Sequence, residues 1–346
     1  MRRSLSLSDG DMMEFNDIIT LDYGSGGKKT AQLIEELLLP ELNNSELSKL
    51  ADGAVLNISG NVVFSTDSFV VSPLFFPGGN IGKLAVCGTV NDISMCGGTP
   101  EFLSLSFIIE EGFDVESLKR IVTSISESAR EAGVLVVTGD TKVVERGRGD
   151  GIYINTSGIG RLTFPGLSRE NIEPGDKVIV SGTIGDHGTA VMLSRDDFLI
   201  GSEVRSDCMP LNKIAAAALS QGGVRVLRDP TRGGVATTLC EFVEGTQHGI
   251  ELYEKSLPVR DSVRAACDML GLDPMYSANE GKMLSVVDAG MAETVLKAIR
   301  GTRGGEDAAI IGEVTDGYPG KVVLRTYSGG GRVLSKLSGA QLPRIC

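Results

Sequence analysis

Short apolar runs that end on a carboxylate recur along this chain, and that recurrence restricts the fold more than any other feature. Val62-Val63-Phe64-Ser65-Thr66-Asp67 and Val134-Leu135-Val136-Val137-Thr138-Gly139-Asp140 each read as a buried strand delivering an acid to a loop. Helical spacing over residues 81–95 and 115–132, with strand-like runs over 102–109 and 152–159, fills in the first half. The second half repeats the scheme. Val178-Ile179-Val180 precedes Gly182-Thr183-Ile184-Gly185-Asp186-His187-Gly188, and residues 224–227 precede Arg228-Asp229-Pro230-Thr231-Arg232-Gly233-Gly234, which opens a helix over 235–244. Strands over 250–253, 283–287 and 308–314 alternate with helices over 262–270 and 291–299. The fold class is α+β, and 346 residues at roughly 100 to 200 per domain suit two such domains.

Punctuation sets the expected boundaries. A polar N-terminal arm covers 1–22, and a first domain covers 23–165. The turn-rich pair Phe164-Pro165-Gly166 and Glu173-Pro174-Gly175-Asp176 opens a second domain, 166–328. At Ser328-Gly329-Gly330-Gly331 the chain is expected to leave the packed body as a mobile tail, 329–346. A helix from Ala31 to Leu39 is expected to close at Pro40.

The charge balance of 33 basic against 45 acidic residues gives −12, which removes the footprint of a nucleic-acid binder and disfavours a membrane surface. An anionic ligand must therefore be held locally, and 45 glycines, about twice the usual share, supply loops where backbone approaches a ligand. No CxxC pair exists among the six cysteines and no apolar stretch approaches the 18 or more residues of a membrane span, so the expected setting is reducing and cytoplasmic.

Six acids, Asp52, Asp67, Asp92, Asp140, Asp186 and Asp229, sit at expected strand or helix ends, most beside Gly, Ser or Thr. Each alone reads as a turn or cap residue. Together they offer the oxygen-only donors that Mg²⁺ bridging nucleotide phosphates requires. The loop Gly24-Ser25-Gly26-Gly27-Lys28 has the composition of a phosphate cradle but satisfies neither the Walker A nor the dinucleotide spacing, and on its own it reads as a linker. Lys142, two residues beyond Asp140, reads either as a group that offsets phosphate charge or as a surface lysine, and Glu280 in Asn279-Glu280-Gly281-Lys282 either as a proton acceptor or as a surface acid. Only two histidines, His187 and His248, are present, so a three-His metal site is impossible. Cys346, the last residue, reads either as an exposed, oxidation-prone terminal cysteine or as a thiol that carries a group between sites.

The run from Phe64 to Lys83, with Val90-Asn91-Asp92, Val137-Thr138-Gly139-Asp140-Thr141-Lys142-Val143-Val144, Gly185-Asp186-His187-Gly188, Arg228-Asp229-Pro230-Thr231-Arg232-Gly233-Gly234, Ala278-Asn279-Glu280-Gly281-Lys282 and Pro343-Arg344-Ile345-Cys346, resembles the HypE family of hydrogenase maturation factors. The resemblance extends from about Asp22 to the end, within the broader aminoimidazole ribonucleotide synthetase-like (PurM-like) superfamily. It implies two PurM-like domains, the first pairing into a homodimer, with ATP between the domains and the glycine loop. It also implies a substrate built into the chain: a carbamoyltransferase, HypF, loads Cys346, and ATP-dependent dehydration converts the thiocarboxamide to a thiocyanate. The cyanide then passes to iron held by HypC and HypD.

On that resemblance Asp67, Asp92, Asp140 and Asp229 hold Mg²⁺, Lys142 offsets charge and Glu280 removes N–H protons from the group on Cys346. Gly24, Ser25, Gly26, Gly27, Lys28, Asp52, Asp186, His187, Thr231 and Arg232 bind the nucleotide. The chain departs from the family pattern at Tyr23 and Lys28, where His and Arg are common, and its arm before Ile18 is longer. Two rival readings stand beside this one: a phosphotransferase or ligase acting on a free small substrate, and a carrier in which Cys346 only holds cyanide or iron.

Overall fold

In the computed structural model, residues 17–195, 203–337, 339 and 344–346 are described. Residues 1–16, most of the expected N-terminal arm, lie outside them. The end of that arm docks: Ile18 bridges to Asp114, and the Ile19 amide donates to the Phe113 carbonyl at 2.7 Å.

The first domain is built on a four-stranded sheet in the order Val62–Phe69, Ile152–Leu162, Gly98–Glu110, Leu135–Val144. The first three strands run antiparallel and the last pair parallel, which requires a crossover. Helix Val115–Ala132 supplies it, started by Asp114, whose carboxylate accepts the Ser117 amide at 2.6 Å, and stopped by Gly133 at φ +76°. Helix Ile81–Met95 starts at Asn80, whose side chain accepts from the Gly82 and Lys83 amides. Both helices cover one face of the sheet, and their apolar residues form one core with its inward side chains.

The opposite face is open. Register places Phe64, Ile159, Phe102 and Leu135 in one apolar row across all four strands, with Phe64 65% and Leu135 44% exposed.

The second domain carries seven strands in the order Gly331–Leu334, Val322–Arg325, Gly249–Tyr253, Ala309–Thr315, Lys177–Val180, Leu284–Val287, Val224–Arg228. Its central strands are mostly apolar on both faces, because both faces are covered. Val178 and Val180 pack with helix Gly234–Val243, whereas Ile179 packs with helices Asn212–Leu219 and Ala292–Arg300.

Two expectations change. The helix expected to end at Pro40 continues to Leu42, because the turn Ile34–Leu38 widens to π-helical spacing and relieves the missing N–H and ring clash of proline. The chain does not leave the packed body at Ser328: the glycines make a turn, and Gly331–Leu334 pairs with Val322–Arg325 as the edge strand.

Candidate active site

Four acids meet where the two domains face each other, each delivered by a different element. Asp67 lies on strand Val62–Phe69, pointing to the helix-covered face. Asp92 occupies the last turn of helix Ile81–Met95, where a negative charge opposes the helix dipole, and it accepts from the Ser65 hydroxyl at 2.7 Å. Asp229 follows strand Val224–Arg228, and Glu280 precedes strand Leu284–Val287.

Asn279 ties the last two loops together, because its amide group donates to the Pro230 carbonyl and accepts the Gly185 amide at 2.8 Å. The turn into helix Gly234–Val243 depends on Gly234 at φ +59°, where a Cβ would stand 2.6 Å from the Met275 and Ser277 carbonyls.

The electrostatics are those of carboxylates crowded out of water. Burial raises Asp67, and burial with repulsion from Asp67 raises Asp92. Asp229 is pushed up to about 7 by burial and then by Asp92. Glu280 is held well above the usual carboxylate range by burial and by surrounding acids, and its Oε1 is buried without a hydrogen-bond partner. Arg232 is the cation facing Asp67 and Glu280, and it also reaches the Cys346 thiol, while Arg228 is the cation facing Asp92 and Asp229.

The end of the chain is docked into this junction. The Val70 amide donates to the Cys346 carbonyl at 3.2 Å and the Ser72 amide to the Arg344 carbonyl at 3.1 Å, while Ile345 is buried in the first domain's core. Arg344 pairs with Asp150, and Arg195 donates to the Arg344 carbonyl at 2.7 Å. Burial and Glu280 push the Cys346 thiol up to about 12, with Arg232 opposing them.

His187, expected at the nucleotide, instead holds this tail: it is fully buried, and its Nε2 lies 2.8 Å from the Ile345 carbonyl. Its neighbour Asp186 is buried at the start of helix Asp186–Leu193, accepting from Thr183 at 2.6 Å, with Arg260 at 3.5 Å. Thr231 closes the turn after Asp229, accepting the Gly234 amide at 3.0 Å.

The remaining expected residues gather elsewhere. Asp140 and Lys142 pair with each other at 2.8 Å on the open face of the first sheet, both about 60% exposed. Asp67 pairs across the ladder with Thr156 and Asp140 with Ser106, so the two acids point to opposite faces from the sheet's two edge strands. Three interstrand spacings put them roughly 14 Å apart. Asp140 therefore does not join Asp67, Asp92 and Asp229 within its own chain, and Lys142 does not reach Cys346 there. Among the described residues no group of three or more acids, histidines or cysteines stands close enough to hold a metal.

The glycine loop sits with the Asp140 group. Gly24 and Gly26, with Thr30, Asp140 and Lys142, line a cavity of about 350 Å³ between residues 24–53 and strand Leu135–Val144. Thr30, in the first turn of helix Lys28–Leu33, accepts the Gly26 amide at 2.9 Å, and the Ser25 hydroxyl donates to the Asp22 carbonyl. Gly27 caps that helix, and Asp52 is exposed between the cavity-lining Ala51 and Gly53.

Sequence reasoning missed Ser206, Asp207 and Asn91. Asp207 accepts the Glu280 amide at 3.2 Å and lies 3.7 Å from Lys282, and Asn91 accepts the Leu211 amide at 2.7 Å. Asn91 stood beside Asp92 in a quoted motif. Ser206 and Asp207 occupy an irregular segment with no periodic or motif signal.

Residues 50–162 match the AIR synthase related protein, N-terminal domain, and residues 173–325 its C-terminal domain. Carbamoyl dehydratase HypE of Azotobacter vinelandii is 48% identical over 335 residues, covering 96% of this chain and 98% of that protein. The Escherichia coli K12 carbamoyl dehydratase HypE is 44% identical over 335 residues, covering 95% and 99%. The crystal structure of the hydrogenase maturation protein HypE in complex with ATP superposes with a TM-score of 0.91 at 47% identity, covering 94% of this chain and 99% of that one. A HypE–HypF complex gives a TM-score of 0.77 at 50% identity, covering 88% and 99%.

Proposed function

The chain belongs to the carbamoyl dehydratase HypE family, and from that premise we propose that it uses ATP to dehydrate an S-carbamoyl group on its own Cys346 to a thiocyanate. The observation that carries this is the docked tail: backbone bonds from Val70 and Ser72 and the contact with His187 set Cys346 beside Arg232 and Glu280. An ordinary small-molecule kinase has no use for that arrangement.

Expelling an amide oxygen as hydroxide is prohibitive, so the thiocarboxamide oxygen attacks the γ-phosphate of ATP and later leaves as phosphate. The bond from carbon to that oxygen breaks as the C≡N bond completes, and the two N–H protons are lost. Glu280 takes the first, its buried and unpartnered Oε1 being the available base. Arg232 offsets charge on the reacting oxygens, and Thr231 offers a hydroxyl in the same loop. Asp67, Asp92 and Asp229 do not by themselves stand close enough to cage a metal, but they would hold Mg²⁺ together with the nucleotide's phosphate oxygens, since a hard cation takes one or two carboxylates plus phosphate oxygens and would relieve the mutual repulsion that raises these acids. When bound, Mg²⁺ supplies neutralisation of phosphate charge.

We place Asp140, Lys142 and the glycine loop in the same reaction through a homodimer. The apolar row Phe64, Ile159, Phe102 and Leu135 on the open face is the pairing surface, and Asp140 and Lys142 lie on that face. Pairing presents the Gly24–Lys28 loop, Asp52 and Lys142 to the partner's junction, where they hold nucleotide. HypF is the carbamoyl donor, the HypC–HypD complex the cyanide acceptor, and the cytoplasm the setting, in keeping with six free cysteines.

The test is ADP formation by the full chain with Mg-ATP, with and without prior loading by a HypF carbamoyltransferase. One ADP per loaded Cys346, and none above background in Cys346→Ala, is expected. ADP formation indifferent to Cys346 would refute the reading in favour of a free substrate.

A further inference from the structure

A short irregular segment, residues 206–211, touches the first domain, the Glu280 loop of the second and the histidine that holds the tail. In the first domain, the Ser206 amide donates to the Pro77 carbonyl at 2.8 Å, and Asn91 accepts the Leu211 amide at 2.7 Å while its own amide donates to Met209 at 3.3 Å. In the second, Asp207 Oδ1 accepts the Glu280 amide at 3.2 Å, and the Met209 amide donates to the Glu280 carbonyl at 3.4 Å. Lys282, at 3.7 Å from Asp207 Oδ2, closes the other side of the Glu280 loop. Gly281 lies so close that a Cβ would stand 1.8 Å from the Asp207 carbonyl oxygen.

The same segment reaches the tail through one histidine. A carbonyl only accepts, so the Ile345 carbonyl fixes the proton of His187 on Nε2, at 2.8 Å. Nδ1 is then an acceptor, and the Ser206 hydroxyl, 2.8 Å away, donates to it. Ser206 Oγ in turn accepts the Cys208 amide at 3.0 Å. Phe76 packs edge-on against the imidazole at 5.4 Å, which fixes the ring plane. The tail carbonyl is thus linked through His187 and Ser206 to the backbone around Asp207, and through Asp207 to the backbone of Glu280.

We propose that His187, Ser206 and Asp207 are positioning residues that couple docking of Ile345 and Cys346 to the placement of Glu280. Removing the tail carbonyl leaves the His187 N–H without its buried partner and loosens the segment that holds Glu280. The base is therefore assembled only when the substrate-bearing residue is in place, and an undocked tail leaves the site unassembled. The proposal rests on the reading of Cys346 as the substrate carrier.

The test compares full-length wild type, Ser206→Ala and Ser206→Thr. Ser206→Ala deletes the hydroxyl that serves His187 and the Cys208 amide while keeping the backbone bond to Pro77; Ser206→Thr retains the hydroxyl. The first readout is the rate of iodoacetamide alkylation at Cys346 against exposed Cys96, resolved by peptide mass spectrometry. The second is the single-turnover rate of thiocyanate formation after carbamoylation, with the ATP concentration that gives half the maximal rate.

In Ser206→Ala the Cys346 to Cys96 alkylation ratio is expected to rise about tenfold and the turnover rate to fall about tenfold, the cost of one buried bond left unmade. Half-saturation by ATP stays unchanged, and Ser206→Thr restores both rates to within about threefold. An unchanged alkylation ratio in Ser206→Ala, or a loss that Ser206→Thr does not restore, would overturn the coupling. If Ser206→Ala fails to fold, His187→Gln, whose amide donates to Ile345 but accepts poorly from Ser206, replaces it with the same expected ratio. A wild type that never forms thiocyanate defeats the dehydratase reading instead, and the alkylation ratio alone then decides whether the segment holds the tail.

Discussion

Replacing Asp229 with Asn is expected to stabilise the protein and cost it activity, and the two effects have one origin. The Asp229 carboxyl titrates at about 7 in the fold against 3.8 in the unfolded chain, because it is buried beside Asp92 and Asp67. The folded state therefore binds its proton more tightly, and ionisation costs stability progressively from pH 3.8 up to about 7, with no further loss above that. From about pH 5.5 to about pH 8 the cost grows by roughly 1.5 pKa units, or about 2 kcal/mol. By its exposed area Asp229 is half-buried rather than sealed from water, and screening reduces this to about 1 kcal/mol.

Asn keeps the shape and removes the titration. Thermal unfolding of Asp229→Asn should run closer to wild type near pH 5.5 and be displaced upward near pH 8 by an additional 2 °C or so. Mg-ATP-dependent turnover should meanwhile fall by about a hundredfold or more, since the lost oxygen donor is one the phosphate site needs. A displacement that does not change with pH, or a variant less stable than wild type near pH 8, would refute the reasoning that these acids are held together against their own repulsion.

Further outcomes follow from the same geometry. Glu280→Gln should lower single-turnover thiocyanate formation by about 10² to 10⁴ while the carbamoyl adduct on Cys346 accumulates in the intact mass; normal turnover would remove Glu280 as the base. Gly281→Ala should destabilise by about 1–3 kcal/mol in thermal unfolding, because the new Cβ meets the backbone of Asp207 rather than a movable side chain. Asp150→Asn removes an exposed partner of Arg344, and the alkylation rate of Cys346 should change by less than about fivefold, since such pairs contribute at most about 1 kcal/mol.

The elements were legible where local chemistry states them. Asn80, Asp114 and Gly133 mark the ends of helices Ile81–Met95 and Val115–Ala132, and the strand runs are apolar at the expected places. Pro40 misled because a widened helical turn absorbs a proline that local rules read as a stop. Asp67 and Asp140 look equivalent in sequence, each ending an apolar run, and only the strand pairing shows that they face opposite ways. His187 was visible as a nucleotide-site candidate through its motif, but its partner is a carbonyl 158 positions away, so its contact with the tail was not. Ser206 and Asp207 act through backbone contacts with Pro77 and Glu280, which no periodicity encodes. Acids at loop starts carried the chemistry in the sequence; which of them share one space was a property of tertiary structure.

The central claim is that the chain dehydrates its own last residue, and intact mass tests it most directly. Wild type and Cys346→Ala are exposed to a HypF carbamoyltransferase with its substrates, then weighed before and after Mg-ATP. The account predicts a carbamoyl addition confined to wild type, followed by a loss of about 18 Da, one water, on adding Mg-ATP. Addition without that loss, or an ATP-dependent reaction that persists in Cys346→Ala, would contradict it.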